Sequence, residues 1–185
     1  MPAMQDAECR VRLCAPIQSD VAARMALGIS SEIVLMYGAR ADNAPRVAAR
    51  QAMRWLQGIR KHPLAWIIEA DGELVGEARL DNLNPTDCRA RLAIGLFNDR
   101  HLGRGIGRRA IDLLLEDAFG PIGLHRVDLR VLSFNRRAIR CYEACGFVHE
   151  GVERQSALID GIWHDDVIMA ILAHEYLARD YFNPA

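Results

Sequence analysis

A basic, glycine-rich turn leads from an apolar strand into a helix and has the residues to hold an anion. The turn reads Leu102-Gly103-Arg104-Gly105-Ile106-Gly107-Arg108 and follows a strand that ends at Leu96 and Phe97. Glycine lets the backbone approach an anion closely, and the first amides of a helix have no intrahelical acceptor. The helix dipole favours negative charge at the same end. The sequence therefore predicts a phosphorylated ligand at this turn.

The same glycines also fit a dinucleotide-binding pattern. The segment Gly105-Ile106-Gly107-Arg108-Arg109-Ala110 has its alanine-ending form, and Asp128 lies about 20 residues further on, near the position of a ribose-binding carboxylate. However, the polar connection Asn98–Arg104 separates the strand from these glycines, and Asp128 lies inside the apolar run Val127–Leu132. A nicotinamide-dependent oxidoreductase is therefore the weaker hypothesis.

A second group of candidate residues lies downstream of the turn. A strand-like run over Leu124–Val131 is followed by Asn135 and by a helical segment, Ala138–Cys145, which carries Tyr142 and precedes Gly146-Phe147. An asparagine amide can both donate and accept hydrogen bonds, and a tyrosine hydroxyl can donate a proton.

The order of these segments resembles the GCN5-related N-acetyltransferase superfamily. In that family a Gln/Arg-x-x-Gly-x-Gly/Ala turn holds the pyrophosphate of acetyl-CoA, and an Asn, a Tyr-bearing helix and a Gly-Phe pair form the other wall. The resemblance runs from about Arg10 to Leu172, and Leu102 stands where the family usually has Gln or Arg. It implies an α/β fold with a mixed, mostly antiparallel central sheet flanked by helices. Two splayed parallel strands would form the acetyl-CoA cleft.

The resemblance also implies the reaction and its residues. An unprotonated amine would attack the acetyl thioester directly, and Tyr142 would protonate the departing thiolate as the general acid. The residues expected to bind acetyl-CoA are Leu96, Phe97, Leu102, Gly103, Arg104, Gly105, Ile106, Gly107, Arg108, Asn135 and Arg137.

The sequence offers several candidates for the general base. Some family members have a glutamate at the position of Arg130, but an arginine cannot take up a proton at working pH. The remaining candidates are Glu77, Asp81, Asp99 or a chain of water molecules. Exposed carboxylates are common, so each of these residues could instead be an ordinary surface group.

The acceptor is suggested by the final segment, Glu150–Met169. It resembles the ending of a branch that includes ribosomal-protein N-terminal, polyamine and amino-sugar acetyltransferases. A protein N-terminal α-amine is the first expectation, and a small amine is the second; Asp165 and Asp166 could attract such a cation. The hypothesis from another class is a non-catalytic acyl-CoA-binding module, which would not need Tyr142.

Length and composition fit a single enzyme domain over residues 1–185, of which 51% are hydrophobic. The net charge of −1 argues against nucleic-acid partners. No run reaches the ~18 apolar residues of a membrane span, and no signal peptide is recognisable, so a cytoplasmic protein is expected. Five cysteines without paired C-x-x-C spacing predict neither disulfides nor a metal site. The apolar segment Ile171–Phe182 could contribute to a homodimer.

Hydrophobic periodicity and turn residues predict the elements that position these groups. Before the turn they are a strand over Cys9–Cys14, a helix capped by Ser19-Asp20, a turn over Gly38–Pro45, a helix from about Arg46 to Ile59, and antiparallel strands over Ala65–Ala70, Glu73–Leu80 and Arg89–Phe97. After it, a helix ends near Gly120-Pro121 and leads to a strand at Val127–Leu132. Because a helix connects them, this strand can lie parallel to the strand that ends at Phe97.

Overall fold

The computed structural model describes residues 9–28, 30–38 and 47–182, with the backbone alone for 180–182. Its strands are β1 (Val11–Cys14), β2 (Ala65–Ala70), β3 (Glu73–Asn84), β4 (Arg89–Leu96), β5 (Arg126–Leu132), β6 (Val148–Ile159) and β7 (Ile162–Leu172). Its helices are α1 (Asp20–Leu27), α2 (Ser31–Met36), α3 (Ala49–Lys61), α4 (Ile106–Phe119), α5 (Arg136–Ala144) and α6 (Ala173–Phe182). Among these residues no helix is both long and apolar enough to cross a membrane.

The strands form one sheet in the order β1-β2-β3-β4-β5-β7-β6. Every neighbouring pair is antiparallel except β4 and β5, which are parallel because α4 carries the chain back between them. This confirms the predicted mixed and mostly antiparallel sheet.

The two parallel strands part after a short paired stretch. Three residue pairs join them, from Arg89 with Arg126 to Arg91 with Asp128. On its other side β5 pairs with β7 over its full length, as far as Leu132 with Asp166. A gap therefore opens between β4 and β5 toward their carboxyl ends, which confirms the predicted splayed strands.

Helices α4 and α5 cover one face of the sheet. Along α4 the buried residues recur at intervals of three and four positions, which places them on one side of the helix. They are Ile106, Ala110, Ile111, Leu114, Leu115 and Ala118. They share a core cluster with Leu92 and Leu129 of the central strands. A fully buried Leu or Ile contributes about 1.5–3 kcal/mol, so this cluster holds α4 and its leading turn against the sheet.

Helices α1 and α3 lie on the opposite face at one end of the sheet. Leu27 and Ile59 from these helices share a smaller buried cluster with Ile67, Leu74 and Phe97 of the sheet and its edge. The rest of this face, toward β5 and β7, is lined by charged residues. The two faces therefore differ in chemistry as well as in the helices that cover them.

Several predicted boundaries were wrong, each for a local reason. Helix α2 was not predicted, because six residues are too few to show a helical period; Ser30 caps it by accepting a hydrogen bond from the Ile33 amide at 3.4 Å. At α1 the Ser19 side chain makes no capping bond, whereas Asp20 Oδ2 accepts from the Ile17 amide at 2.7 Å. Residues 39–46, which include most of the expected turn and the expected start at Arg46, lie outside the described residues.

Candidate active site

A cleft of about 820 Å³ passes through the gap between β4 and β5. This volume lies within the ~300–1,000 Å³ common for small-molecule sites. The glycine turn, α4 and α5 line one end, and charged residues of β3, β4, β5 and β7 line the other end together with α2. The two ends are called the cofactor end and the acceptor end below.

The backbone of the glycine turn forms the cofactor end. Gly105 precedes α4 with a left-handed φ of 74°, and no side chain caps the helix. The amides at the start of α4 therefore have no side-chain acceptor among the described residues, and Gly107 and Arg108 line the cleft. Leu102 also lines the cleft, with its side chain against the core and its amide bound to the Asp99 carbonyl at 2.9 Å. The residue that departs from the family pattern thus packs as an apolar side chain.

Two predicted cofactor residues have side chains that turn away from the cleft. Arg104 lies 3.9 Å from Asp71 in an exposed ion pair. Phe97 packs edge-on against Trp55, with ring centres 5.6 Å apart, and beneath the Arg24 guanidinium at 4.1 Å. These contacts with Trp55 of α3 and Arg24 of α1 hold the Phe97 ring in the smaller buried cluster beside those helices. Neither residue lines the cleft, and their expected part in binding acetyl-CoA stays a prediction.

His101 lies within the turn and was not singled out from the sequence. It is 4% exposed and lines the cleft, and its Nε2 accepts from Arg100 Nε at 2.9 Å. Its buried Nδ1 has no hydrogen-bond partner among the described residues. Burial lowers the pKa of His101, and the nearby Arg100 and Arg104 lower it further. The ring is therefore held in its neutral form.

Asn135 and Arg137 begin α5 at the wall of the cleft. Asn135 Oδ1 caps the helix by accepting from the Ala138 amide at 3.2 Å, and its Nδ2 bonds to none of the described residues. Arg137 forms an ion pair with Glu32 of α2, so the pair joins the two walls of the cleft. Both side chains are nearly half exposed, so a ligand phosphate could compete for Arg137.

Tyr142 of α5 reaches the gap between the strands. Its ring packs against Phe147 with centres 5.9 Å apart, and its hydroxyl makes no hydrogen bond within the part of the chain that the structure describes. Burial, aided by neighbours that include Cys141 and Tyr37, raises the pKa of this hydroxyl. The group is therefore protonated at neutral pH and has a proton to donate.

Tyr37 approaches the same gap from the acceptor end. It follows α2, and its hydroxyl lies so close to Gly95 that a Cβ at this position would overlap it. Burial is the main reason that the pKa of Tyr37 is raised, although 55% of the residue is exposed. The contact between Tyr37 and Gly95 has no signal in the sequence.

The three candidate bases differ in position. Glu77 pairs with Gly95 across β3 and β4 and is 17% exposed; its carboxylate accepts hydrogen bonds from Trp55 and, at 3.0 Å, from Arg79. Asp81 also lines the cleft but lies 2.9 Å from Arg79 Nε and 3.0 Å from His62. Asp99 is exposed and lies outside the residues that line the cleft.

Two other carboxylates are already paired. Asp166 is 4% exposed, lies 3.2 Å from Arg130 Nε and accepts from Ser156 Oγ at 2.7 Å. Asp165 accepts from the Gln155 amide at 2.7 Å. Asp166 is thus paired with Arg130, and Asp165 lies outside the residues that line the cleft, so the attraction of a cationic amine by these two acids stays a prediction.

Asp128 is not a ribose-binding carboxylate. It is 6% exposed and accepts from Arg91 Nε at 2.5 Å. It also lies within the paired stretch of β4 and β5, where a dinucleotide fold would need a free acid at a strand end. The structure therefore gives no support to the dinucleotide hypothesis.

Comparisons with known proteins identify the family. The acetyltransferase (GNAT) family matches residues 35–147. The spermidine N(1)-acetyltransferase of Escherichia coli strain K12 is 31% identical over 114 residues, which are 62% of this chain and 61% of that protein. A protein of Bacillus subtilis named as a candidate ribosomal N-acetyltransferase is 29% identical over 106 residues, or 57% of each chain. The match thus spans less than two thirds of the length of either relative.

A crystal structure of the spermidine N-acetyltransferase from Vibrio cholerae, in complex with CoA and spermine, has a TM-score of 0.74 to this chain. The superposition covers 93% of this chain and 99% of that one at 23% identity, so it shows the shared fold. Together with the family match over more than half of the sequence, the parted strands, the glycine turn and the tyrosine in the gap show that this chain belongs to the acetyltransferase (GNAT) family.

Proposed function

We propose that this chain transfers the acetyl group of acetyl-CoA to the primary amine of a small acceptor. The observation that carries the proposal is the Tyr142 hydroxyl, which reaches the gap between β4 and β5 and bonds to none of the described residues. A protonated hydroxyl at this point is suited to a thioester sulfur that leaves as a thiolate.

The cofactor end is proposed to hold the pyrophosphate of acetyl-CoA. The amides of Ile106, Gly107 and Arg108 begin α4, where they can donate to phosphate oxygens. The side chains of Arg108 and Arg137 add positive charge on either side of that turn. Asn135 Nδ2 is the nearby donor that remains for the pantetheine arm.

The proposed reaction needs two proton transfers. The neutral amine attacks the acetyl carbon, the carbon–sulfur bond breaks, and the thiolate takes the Tyr142 proton. The amine nitrogen must lose one proton as it becomes an amide. Glu77 is the proposed acceptor of that proton, because it lines the cleft opposite Gly95 and beneath Tyr37.

Two acceptor classes remain as candidates for this site. The relationship to spermidine acetyltransferases supports a small amine. The relationship to a candidate ribosomal acetyltransferase supports the protein N-terminal α-amine, which is kept as the second candidate. A non-catalytic acyl-CoA-binding module is the alternative from another class.

Calorimetric titration with acetyl-CoA, and with NAD as the comparison, tests the cofactor. Thiol release from acetyl-CoA is then followed with alkylamines, diamines, amino acids, amino sugars and peptides that have free N-termini. Binding of acetyl-CoA, with an amine-dependent release that Tyr142→Phe abolishes, supports the proposed enzyme. Binding without release for any amine favours the non-catalytic module, and binding of NAD alone contradicts the proposal.

A further inference from the structure

One face of the sheet at the acceptor end carries a row of arginines. Arg91 pairs with Asp128 across β4 and β5, and Arg130 follows two residues along β5, so both lie on the same face of the sheet. Arg79 joins them, because it and Asp81 share one face of β3 and Asp81 pairs with Arg91. All three arginines line the cleft.

In two of these arginines the same atom, Nε, contacts a buried carboxylate. Arg91 Nε donates to Asp128 at 2.5 Å, and Arg130 Nε lies 3.2 Å from Asp166. The two aspartate side chains are 8% and 6% exposed, whereas the arginine side chains are 39% and 47% exposed. The negative charges are therefore beneath the surface, and the guanidinium groups face the cleft.

The arginines keep hydrogen-bond donors for a ligand. Neither Nη atom of Arg91 bonds to another residue in the described ranges. Arg130 Nη1 donates to the exposed Glu153 at 3.1 Å, and its Nη2 makes no such bond. A guanidinium fixed through Nε with Nη donors to spare, both of them in Arg91 and Nη2 in Arg130, is suited to a carboxylate or a phosphate oxygen.

The acids of this end are already engaged. Glu77 accepts from Trp55 and Arg79, while Asp81 contacts Arg79 and His62. To bind its additional ammonium groups, a polyamine would have to displace an arginine from one of these acids. It would also approach the half-exposed guanidinium groups of Arg91 and Arg130 before the buried aspartates that pair with them. The arrangement disfavours an acceptor with a second cationic group.

We infer that the acceptor amine belongs to a small molecule that also carries a carboxylate or a phosphate, bound by Arg91 and Arg130. The inference rests on the proposed amine acetylation and specifies its substrate class. It sets this chain apart from relatives that are named for spermidine.

Matched acceptors test the inference on the unaltered protein. γ-Aminobutyrate, butylamine and putrescine offer similar chains that end in a carboxylate, a methyl group or a second amine. Glycine, β-alanine and ε-aminocaproate vary the reach, and phosphoethanolamine against ethanolamine tests phosphate. The best amino carboxylate or amino phosphate should exceed its neutral counterpart in kcat/KM by about tenfold or more, as one charge-assisted contact of ~1.5–3 kcal/mol implies. The matched diamine should be the poorest acceptor.

The variant Arg91→Gln tests whether Arg91 causes the preference for an anionic acceptor. It should lower kcat/KM for the anionic acceptor about tenfold more than kcat/KM for butylamine, and leave the Kd of acetyl-CoA within about threefold. Arg89→Gln is the matched control, because Arg89 lies on the same strand, pairs with exposed Asp87 at 3.5 Å and does not line the cleft. Since Arg91→Gln leaves buried Asp128 unpaired, Arg130→Gln provides a second variant; its Asp166 keeps the bond from Ser156.

The outcomes separate the inference from the proposed function. If butylamine or putrescine is acetylated better than every anionic acceptor, the inference is wrong and the acetyltransferase proposal stands. If anionic acceptors are preferred but neither arginine variant changes the preference, the assignment to Arg91 and Arg130 is wrong. If no amine of any class releases thiol from bound acetyl-CoA, it is the proposed function that fails.

Discussion

The cofactor end of the cleft is formed mainly by backbone, whereas the acceptor end is formed by paired side chains. At the glycine turn the amides that begin α4 are fixed by the helix and by Gly105. At the other end Arg91 and Arg130 are fixed by Asp128 and Asp166 on neighbouring strands. A site formed by backbone depends less on side-chain identity, and we expect this to hold at Leu102. In the side-chain network, loss of one partner leaves the other charge buried and unpaired.

Tyr142→Phe tests the point where the two ends meet, and we expect the largest effect here. Loss of a general acid lowers kcat by about 100-fold or more, while the Kd of acetyl-CoA should change little because the ring remains. A thiol-release assay measures kcat, and calorimetry measures the Kd of acetyl-CoA. Tyr176→Phe is the matched control, because Tyr176 of α6 packs its ring against Phe119 of α4 and lies outside the residues that line the cleft. Unchanged kcat in Tyr142→Phe would remove the assignment of this residue as the acid.

Gly105→Ala tests whether the backbone of the glycine turn binds the cofactor. Gly105 and Gly123 have left-handed φ values of 74° and 73°, and a Cβ at either position would have open space around it. Both Gly→Ala changes should cost about 1–2 kcal/mol of unfolding free energy. A weakening of acetyl-CoA binding by about tenfold, which corresponds to ~1.4 kcal/mol, is expected for Gly105→Ala and not for Gly123→Ala. Equal binding by both variants would show that this backbone does not contact the cofactor.

Gly95→Ala tests how closely Tyr37 fits the acceptor end. A Cβ there overlaps the Tyr37 hydroxyl, so the tyrosine must move, which its exposed ring allows at small cost in stability. We expect the acceptor KM to rise several-fold with little change in acetyl-CoA affinity. Since the two residues touch, the effects of Gly95→Ala and Tyr37→Ala should not add in the double variant. Additive effects measured in the four-protein cycle would contradict the contact.

Glu32→Gln and Arg137→Gln separate the ion pair across the cleft from a role in binding the cofactor. The pair is exposed, so either change should alter unfolding free energy by less than about 1 kcal/mol. If Arg137 binds a cofactor phosphate, Glu32→Gln frees it and tightens acetyl-CoA binding a few-fold, whereas Arg137→Gln weakens it. Calorimetry gives the sign. A change in the same direction for both variants would argue against competition for Arg137.

His101 should give the smallest effect, in the pH dependence of stability. Its pKa is lowered from 6.5 in the folded protein, so the unfolded chain binds more protons below that pH. Its contribution to stability is therefore intact above pH 6.5 and falls as the pH drops toward the lowered folded-state pKa. Urea unfolding of the parent protein and His101→Leu should diverge in this acidic window, with the shallower pH dependence in the variant. Parallel curves would contradict a buried neutral imidazole.

The two ends of the cleft also differ in how much of their structure the sequence alone could predict. The glycine turn and the short connection between β2 and β3 are local features, so their residues alone indicated the elements around them. The contacts of the Phe97 and Arg104 side chains with Trp55 and Asp71 could not be predicted, because membership of a motif does not give the direction of a side chain. The Arg91–Asp128 pair joins residues 37 positions apart, and the contact between Tyr37 and Gly95 joins the end of α2 to β4. Both contacts depend on strand register, which a single sequence does not contain.

The short paired stretch of β4 and β5 also affects the cooperativity of folding. Three residue pairs join β1–β4 to a second unit of β5, β7 and β6, while seven pairs join β5 to β7. Because β4 and β5 separate after three residue pairs, we expect the two units to open separately, which hydrogen exchange can detect. A ligand that touches both sides of this boundary stabilises the closed form of each unit and couples them. Amide exchange along the inner edges of β4 and β5 should therefore slow together on cofactor binding, and the sheet should unfold more nearly as one unit.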